Sequence, residues 1–257
     1  MPELPEVETL CLQLHQKVVG AKILLTIVLD EKLAGLESIR GSVIDDVYRS
    51  GKTINIILND GRTVLIHLRM SGRLFWREQD TREPYTRWRM KTVDGNIDLI
   101  DPRRFATVKI VKTQDERDER DLLLNFSRRA FLEKQAKRNV SVKVLLMDPQ
   151  AMSGIGNIYA CEILHRAGIS PFRQASSISN DEWMRIFRHA KHILKKGIEK
   201  RGTSISDWRD LYGCSGEYQK ELRVYGKEGK PCRICGSLIE RVRQSGRSTY
   251  YCPLCQE

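Results

Sequence analysis

Long hydrophobic runs are missing from this chain, and so is any segment with the apolar core of a secretion signal. A helix that crosses a membrane needs ~18 mostly apolar residues in a row, and no stretch of the sequence provides them. The chain begins instead with MPELPEVETL, which is acidic. Internal repeats and low-complexity tracts are absent as well. We therefore expect a cytoplasmic protein without membrane association.

Positive charge dominates the composition. The 257 residues include 44 lysines and arginines against 33 acidic residues, which gives a formal net charge of +11 at pH 7. Hydrophobic residues make up 40% of the chain, so the charge belongs to a folded protein rather than to a basic tail. Such a balance favours a polyanionic partner, nucleic acid above all, with a merely cationic enzyme as the alternative. The length predicts two or three domains.

The first part of the chain has the pattern of a β-rich domain. One amphipathic helix is expected after Pro5, because apolar residues recur there at helical spacing until Gly20. Between Lys22 and Lys112 short β-rich runs follow, separated by the hairpin signals NDG, at Asn59–Gly61, and DG further on. The runs are KILLTIVL, TINIIL, TVLIHL, NIDLI and ATVKIV. They predict an antiparallel sandwich or barrel.

Helical periodicity returns beyond the charged stretch TQDERDERD. A capping box of Ser179 and Glu182 begins one helix, which should end near Gly202. Before it, MSGIGN is typical of a glycine turn that leads into a helix at Asn157. Such a helix start can bind phosphate, although Asn157 could also be no more than a helix cap. We predict domains at residues 1–112, 122–225 and 226–257, with residues 113–121 as a linker.

Four of the seven cysteines form two C-x-x-C knuckles near the C-terminus. This spacing matches a tetrahedral four-thiolate zinc site and indicates metal in a reducing compartment rather than disulfides. The chain between the knuckles has the texture of a hairpin and carries Arg241, Arg243 and Arg247, which favours contact with phosphate over a purely structural ribbon. The predicted ligands of one structural Zn²⁺ are Cys232, Cys235, Cys252 and Cys255.

Several motifs occur together in one order: PELPEVE, SGKT, IHLRMSG, DPRRF, SGIGNIYACE, ELRVYGKEGKPCRICG and GRSTYYCPLCQ. Over nearly its whole length the chain resembles the bacterial formamidopyrimidine-DNA glycosylases of the formamidopyrimidine-DNA glycosylase and endonuclease VIII family. The resemblance implies an α+β fold. Its parts are an N-terminal antiparallel β-sandwich flanked by helices, a helical domain with a helix–two-turn–helix, and a C-terminal zinc-ribbon finger. DNA lies between the first two in that family.

The resemblance gives the opening residues a chemical role. If Met1 is removed, Pro2 exposes an α-amine with a pKa near 8 against 10.4 for lysine, so its neutral fraction at pH 7 is roughly a hundredfold larger. By resemblance Pro2 is the nucleophile that forms a Schiff base with the sugar before β,δ-elimination. Glu3 is then the proton relay, and Glu6 supports the everted nucleotide. Taken alone, Pro5 would be a first-turn proline and Pro2 incidental.

Lys52 and His67 are ambiguous without the family. Lys52 alone would be an exposed hairpin lysine, and His67 a core histidine in a strand. By resemblance Lys52 binds phosphate beside the lesion and assists catalysis, a role that suits a compact charge. His67 is by resemblance a phosphate contact, as are Asn157 and Arg247 among the DNA-binding residues.

Three further side chains resemble the wedge that fills the gap left by an everted base. Met70 is flexible and apolar, Phe105 can insert between bases, and Arg103 can bond the orphaned partner base. Separately they would be a core methionine, a core phenylalanine and a surface arginine. The presence of both MSG and DPRRF favours the wedge.

We predict a base-excision-repair DNA glycosylase with apurinic/apyrimidinic lyase activity that removes oxidised purines, namely 8-oxoguanine and formamidopyrimidines. The alternatives are an oxidised-pyrimidine glycosylase of the endonuclease VIII type and a catalytically silent DNA-binding protein. The partner is double-stranded DNA with oxidised bases or abasic sites, bound by a monomer in the bacterial nucleoid. Two stretches depart from the family: DLLLNFSRRAFLEK is shortened, and LYGCSGEYQKE, the loop over the damaged base, contains Cys214.

Overall fold

The structure is a computed structural model that describes residues 1–113 and 118–257. The α-helices are α1 (Leu4–Val18), α2 (Arg128–Ala130), α3 (Val142–Leu146), α4 (Asn157–Ala167) and α5 (Asn180–Glu199). The strands are β1 (Ile23–Val28), β2 (Ile44–Ser50), β3 (Thr53–Leu58), β4 (Arg62–His67), β5 (Arg73–Arg77), β6 (Thr86–Thr92), β7 (Asn96–Ile100), β8 (Thr107–Lys112), β9 (Glu240–Gln244) and β10 (Arg247–Tyr251).

The chain forms two compact units. The first comprises residues 1–116 and 198–219, and the second comprises residues 117–197 and 220–257. The domain boundaries drawn from the sequence remain predictions, because residues 114–117 of the proposed linker lie outside the described residues.

Two antiparallel four-stranded sheets build the first unit. Their strand orders are β1-β6-β7-β5 and β2-β3-β4-β8, and α1 packs on β2 and β3. One apolar core contains residues of both sheets and of the helix, among them Leu10, Ile54, Leu74 and Trp88. A helix and a sandwich therefore share one core, as the apolar pattern predicts.

The predicted hairpin turns are confirmed. NDG joins the paired strands β3 and β4, and Asp94–Gly95 joins β6 and β7. Gly95 has φ +153, and a Cβ there would lie 2.5 Å from Cζ2 of Trp76, so this turn requires glycine.

The sequence pattern missed three strands, β2, β5 and β6, because charged residues interrupt the apolar positions of β2 and β6 and flank the short apolar run of β5. In β6 the guanidinium of Arg89 is fully buried and bonds both carboxylate oxygens of Asp98 on β7 at 2.5 and 2.6 Å. In β2 Arg49 is 3% exposed and bonds Glu8 of α1 at 2.7 Å. Buried charges that are paired inside the sheet look like surface residues in a sequence.

The second unit contains α2 to α4, most of α5 and the β9–β10 hairpin. The predicted capping box begins α5: Glu182 accepts the N–H of Ser179 at 2.8 Å, and the Ser179 hydroxyl accepts the N–H of Glu182 at 3.3 Å. The stretch after residue 121 packs Phe126 and Phe131 edge-on against Phe187. Among the described residues, no helix is both long and apolar enough to cross a membrane.

Candidate active site, nucleic-acid interface and metal centre

The N-terminal end of α1 is held by a buried carboxylate. Oε2 of Glu6, in the first turn, accepts the backbone N–H of Glu3 at 2.8 Å. Oε1 of the same side chain accepts the N–H of Thr203 at 2.7 Å. Glu3 and Glu6 are 3% and 2% exposed, and Pro2 is buried as well. Glu6 therefore ties Pro2 and Glu3 to the segment that follows α5.

At two glycines of that segment the neighbouring atoms leave no room for a side chain. Gly202 has φ +80, and a Cβ there would lie 2.7 Å from Oε1 of Glu6. A Cβ on Gly216 would lie 2.3 Å from the carbonyl oxygen of Gly202, which also accepts the N–H of Tyr218 at 3.0 Å. Residues 202–218 thus form a closed loop whose base contacts Glu6.

Lys52 and His67 are neighbours on one sheet. Lys52 is half-buried in the turn between β2 and β3, next to Gly51, which has φ +57. Thr53, the residue after Lys52, lies directly opposite His67 in the β3–β4 ladder. The hairpin places the ammonium group and the imidazole at the same end of the sheet.

The His67 ring is a neutral hydrogen-bond donor. Burial, together with the charges of Arg69 and Lys52, lowers the pKa of His67 to about 4. Nδ1 of the ring accepts the N–H of Arg69 at 3.0 Å. A neutral imidazole carries one proton, which therefore sits on Nε2 and can be donated to an anion.

A buried carboxylate, Asp101, organises the predicted wedge. One of its oxygens accepts the Ser71 hydroxyl at 2.5 Å and the N–H of Arg103 at 3.1 Å. The other accepts the N–H groups of Phe105 and Ala106, both at 2.6 Å. Burial acts to raise the pKa of Asp101, but these hydrogen bonds outweigh it and lower the pKa below its ordinary value.

The wedge side chains project from that scaffold. Met70 is 50% exposed and Phe105 is 40% exposed, unusually high values for such side chains. The guanidinium of Arg103 lies 4.7 Å from the centre of the Phe105 ring. A Cβ on Gly72 would lie 2.9 Å from Cβ of Ala106, so the Met70 and Phe105 segments touch.

In the second unit, Asn157 is the first residue of α4, as predicted, but it does not cap the helix. Gly156 occupies the cap position. Oδ1 of Asn157 accepts a hydrogen bond from Nζ of Lys143 at 2.6 Å, and Nδ2 of Asn157 donates one to the carbonyl oxygen of Ser248 at 2.9 Å. Lys143 is fully buried and also bonds the Thr249 hydroxyl at 2.8 Å. The helix start and the hairpin are therefore joined through Asn157.

Arg247 stands at the tip of that hairpin. It follows the turn residues Ser245 and Gly246, both with positive φ, and it is exposed. Arg241 makes an ion pair with Glu228 at 3.5 Å. Within the described part of the chain Arg247 has no such partner, and its guanidinium is available for an external anion.

The four predicted cysteines converge. Their sulfur atoms all lie within 4.8 Å of one another. The Sγ atoms of Cys232 and Cys255 are 3.8 Å apart, and those of Cys235 and Cys252 are 3.4 Å apart. A tetrahedron with metal–sulfur bonds of about 2.3 Å has edges of about 3.8 Å, so the four thiolates fit one tetrahedral ion.

The family models match the chain in three consecutive regions. They are the formamidopyrimidine-DNA glycosylase N-terminal domain over residues 1–108, the formamidopyrimidine-DNA glycosylase H2TH domain over residues 121–208, and the zinc finger found in FPG and IleRS over residues 229–257. The formamidopyrimidine-DNA glycosylase of Desulfitobacterium hafniense is 35% identical over 273 residues and covers all of both chains. The chain belongs to the formamidopyrimidine-DNA glycosylase family.

Other members of the family agree with this assignment. The formamidopyrimidine-DNA glycosylase of Pelotomaculum thermopropionicum is 38% identical and aligns with the whole chain and 99% of its own. The Lactococcus lactis Fpg in complex with abasic-site-containing DNA superposes with a TM-score of 0.89 at 29% identity, covering 99% of both chains. A structure of the same protein with oxidised-pyrimidine-containing DNA gives a TM-score of 0.88.

Family membership confirms the expected α+β fold with its H2TH and zinc-finger domains. The protein is a DNA-binding DNA glycosylase of base excision repair. Its cysteine cluster lies in the matched zinc-finger domain and can hold a structural metal ion.

Sequence reasoning missed the buried residues that support the site: Asp101, Lys143 and Thr203. One signal was present for Lys143, a lone cation inside the apolar run SVKVLL on a short helix. Thr203 gave no such signal, because only its backbone N–H bonds Glu6, and Asp101 gave none, because its bonds to Ser71 and to the following backbone N–H groups depend on how these segments fold.

Proposed function

We propose that the protein is a bifunctional glycosylase and apurinic/apyrimidinic lyase that removes oxidised purines, with the amine of Pro2 as nucleophile after loss of Met1. The observation that carries the proposal is the buried Glu3–Glu6–Thr203 network, which fixes the first residues of α1. A terminal residue is ordinarily frayed. An N-terminus fixed in this way suits a residue that must meet one sugar carbon.

The chemistry follows from a secondary amine. The nitrogen of Pro2 attacks C1′ of the deoxyribose and loses its proton, the C1′–base bond breaks, and the base leaves with the bonding electrons and takes up a proton. The sugar ring then opens: the nitrogen lone pair forms a C1′=N bond, the C1′–O4′ bond breaks, and O4′ takes up a proton. The resulting iminium cannot lose an N–H proton to become a neutral imine, so it remains an electron sink. Loss of the C2′ proton then expels the 3′-phosphate, and a second elimination expels the 5′-phosphate.

The two glutamates divide the work. Glu3, next to the nucleophile, relays protons at the sugar. Glu6 already accepts N–H groups from Glu3 and Thr203, so it acts as a positioning residue that supports the everted nucleotide through the loop of residues 202–218.

The DNA contacts use the donors described above. Lys52 and the Nε2–H of His67 bind phosphate beside the lesion. Arg247 binds phosphate, and so does Asn157, whose amide retains a second Nδ2 hydrogen that finds no acceptor within the described ranges. Met70, Arg103 and Phe105 fill the gap in the duplex. The protein acts as a monomer.

The metal is Zn²⁺. Four thiolates and no oxygen ligand select a soft or borderline ion, and two C-x-x-C knuckles of this geometry are typical of structural zinc. Cys232, Cys235, Cys252 and Cys255 would hold it. The ion supplies folding energy to the finger and takes no part in the reaction at Pro2.

The test is strand nicking on duplexes that carry 8-oxoguanine, a formamidopyrimidine or thymine glycol, combined with borohydride trapping. We expect nicking of the two purine substrates and an adduct that peptide mapping places on Pro2. A variant that retains Met1 should bind DNA but neither trap nor nick, because an amide nitrogen is not nucleophilic. An adduct on Lys52 would overturn the mechanism.

The same assay separates the alternatives. A preference for thymine glycol would make the protein an oxidised-pyrimidine glycosylase, a possibility raised by the Lactococcus lactis complex with oxidised-pyrimidine-containing DNA. Binding with no cleavage of any substrate would identify a silent DNA-binding protein.

A further inference from the structure

A histidine outside the four-cysteine cluster touches one of its sulfur atoms. His165 lies in the last turn of α4 and is 1% exposed, and Cys232 is 4% exposed. Nε2 of His165 is 3.5 Å from Sγ of Cys232. The same sulfur accepts the backbone N–H of Ile234 at 3.4 Å, an ordinary bond within a knuckle. The contact with His165 is different because it comes from another element.

The surroundings of the ring decide which nitrogen carries the proton. Nδ1 of His165 is buried and has no hydrogen-bond partner within the described ranges. A metal-bound thiolate can only accept hydrogen bonds, and a neutral imidazole has one N–H to donate. The tautomer with its proton on Nε2 places that N–H against the sulfur, whereas the other tautomer would bury an N–H without an acceptor.

We propose that His165 is a positioning residue of the metal site, which donates an N–H···S hydrogen bond to the Cys232 thiolate. The inference rests on the zinc site proposed above. A Zn²⁺ ion with four thiolates carries two net negative charges, and each hydrogen bond to sulfur withdraws part of that charge. The Cys232 sulfur thereby becomes a weaker nucleophile toward electrophiles and oxidants.

The bond also adds to the attachment of α4 to the finger and to the segment that leads into it. At the start of the helix Asn157 donates to the carbonyl oxygen of Ser248 at 2.9 Å. In the middle, the buried carboxylate of Glu162 accepts three backbone N–H groups, those of Arg223, Val224 and Tyr225, at 2.9 to 3.1 Å. His165 adds a third point, ~12 Å along the helix from the first. One helix thus connects the metal ligand Cys232 with Asn157 at the helix start.

The test compares His165→Phe, which keeps an aromatic ring without a donor, with His165→Gln, which keeps an N–H donor. In the Co²⁺-substituted proteins, the sulfur-to-cobalt charge-transfer band should move to lower energy in His165→Phe and stay near the wild-type position in His165→Gln. Zinc release driven by N-ethylmaleimide should be faster in His165→Phe, with zinc affinity lower by about tenfold. Equal behaviour of all three proteins would overturn the proposal, as would equal shifts in both variants, which would indicate packing alone.

A measurement on the wild-type protein covers the case in which His165→Phe does not fold. With ¹¹³Cd in the site, a scalar coupling between the metal and the Nε2 proton of His165 is expected across the hydrogen bond. Its absence, with the imidazole proton found on Nδ1, would contradict the bond. Failure to bind any metal would instead contradict the zinc site itself, so the two failures can be told apart.

Discussion

At the scale of single residues, the site is built from polar groups whose partners restrict what they can do. His67 has one ring nitrogen occupied by the N–H of Arg69, so only its Nε2–H can face outward. Asp101 has both oxygens filled by Ser71 and by backbone N–H groups, which makes it a support rather than a base. The residue types alone do not show which ring nitrogen of His67 faces outward, or whether Asp101 is a support or a base.

The phosphate contact proposed for His67, together with its low pKa, predicts that DNA binding depends on pH. In the free protein burial and two neighbouring cations hold the pKa at about 4. A phosphate bound at Nε2 stabilises the imidazolium and raises the pKa in the complex, so binding takes up a proton and should strengthen as pH falls toward about 5. The folded protein alone shows the opposite trend: the unfolded chain protonates first, so His67 reduces stability as pH falls from about 6.5 toward 4.

Affinity measured against pH tests this linkage, with His67→Gln as the control. The variant keeps a donor without a titratable ring and should have a flatter profile in the same range. A wild-type profile as flat as that of the variant would remove His67 from the phosphate contacts.

Because Asp101 holds the segments that carry Met70 and Phe105, we expect Asp101→Asn to impair base excision more than abasic-site cleavage. The amide NH₂ would face backbone N–H groups, and the loss of these charged hydrogen bonds should reduce the free energy of unfolding by about 2 kcal/mol. Base excision should fall more than cleavage of a pre-formed abasic site, because the wedge is needed to evert an intact base. Denaturant unfolding and paired nicking assays measure both effects. The exposed Asp45→Asn is the matched control, and an equal loss on both substrates would contradict the wedge role.

At the scale of elements, regular patterns were predictable and compensated charges were not. Apolar spacing predicts helix α1 and strands β3 and β4, and the NDG turn predicts that β3 and β4 form a hairpin. Strand β6 could not be predicted in this way, because an arginine in a sequence is typical of a surface position. Arg89 is buried only because Asp98 on β7 pairs with it. The contact of Thr203 with Glu6 likewise depends on how the loop after α5 closes, which no local pattern encodes.

Closure of that loop can be tested at Gly216. A Cβ at this position meets the carbonyl oxygen of Gly202 at 2.3 Å, so Gly216→Ala must displace the base of the loop from Glu6. We expect a loss of about 1 to 3 kcal/mol in unfolding free energy and slower base excision. Gly213→Ala is the matched control, since a Cβ there meets nothing within 4 Å and only the φ of +82 is unfavourable. If Gly213→Ala impaired excision as much as Gly216→Ala, the contact with Glu6 would not be the cause.

At the scale of the whole molecule, a net charge of +11 makes binding to DNA dependent on salt, and individual cations can be counted from that dependence. The resemblance assigned Arg247 to phosphate, and the structure leaves its guanidinium exposed at the hairpin tip. The basic composition alone could not distinguish it from other exposed cations such as Lys195. Only the geometry of the hairpin turn does so.

Arg247→Ala should therefore weaken binding and lower the slope of log K against log salt by about 0.9, the contribution of one phosphate contact. Lys195→Ala, an exposed cation on α5, should leave the slope unchanged. Titrations of one duplex over a range of salt concentrations give both values. An unaltered slope in Arg247→Ala would reduce it to an ordinary surface residue.

Removal of the metal should unfold the finger and leave the β-sandwich folded. Among the described residues, the buried cluster around the finger consists of Val224, Ile239 and three cysteines, one of them Cys161 of α4, with two tyrosines and Cys255 packed against it, which is too little to fold residues 226–257 without an ion. The sandwich has its own large core, so its circular dichroism and thermal transition should survive chelation. DNA binding should be lost and should return when zinc is restored.

Cys255→Ser should reproduce the loss of DNA binding, whereas Cys214→Ser, which alters an exposed cysteine outside the cluster, should not. Metal analysis accompanies each step, and a folded protein that binds DNA with no metal would contradict both the site and its role.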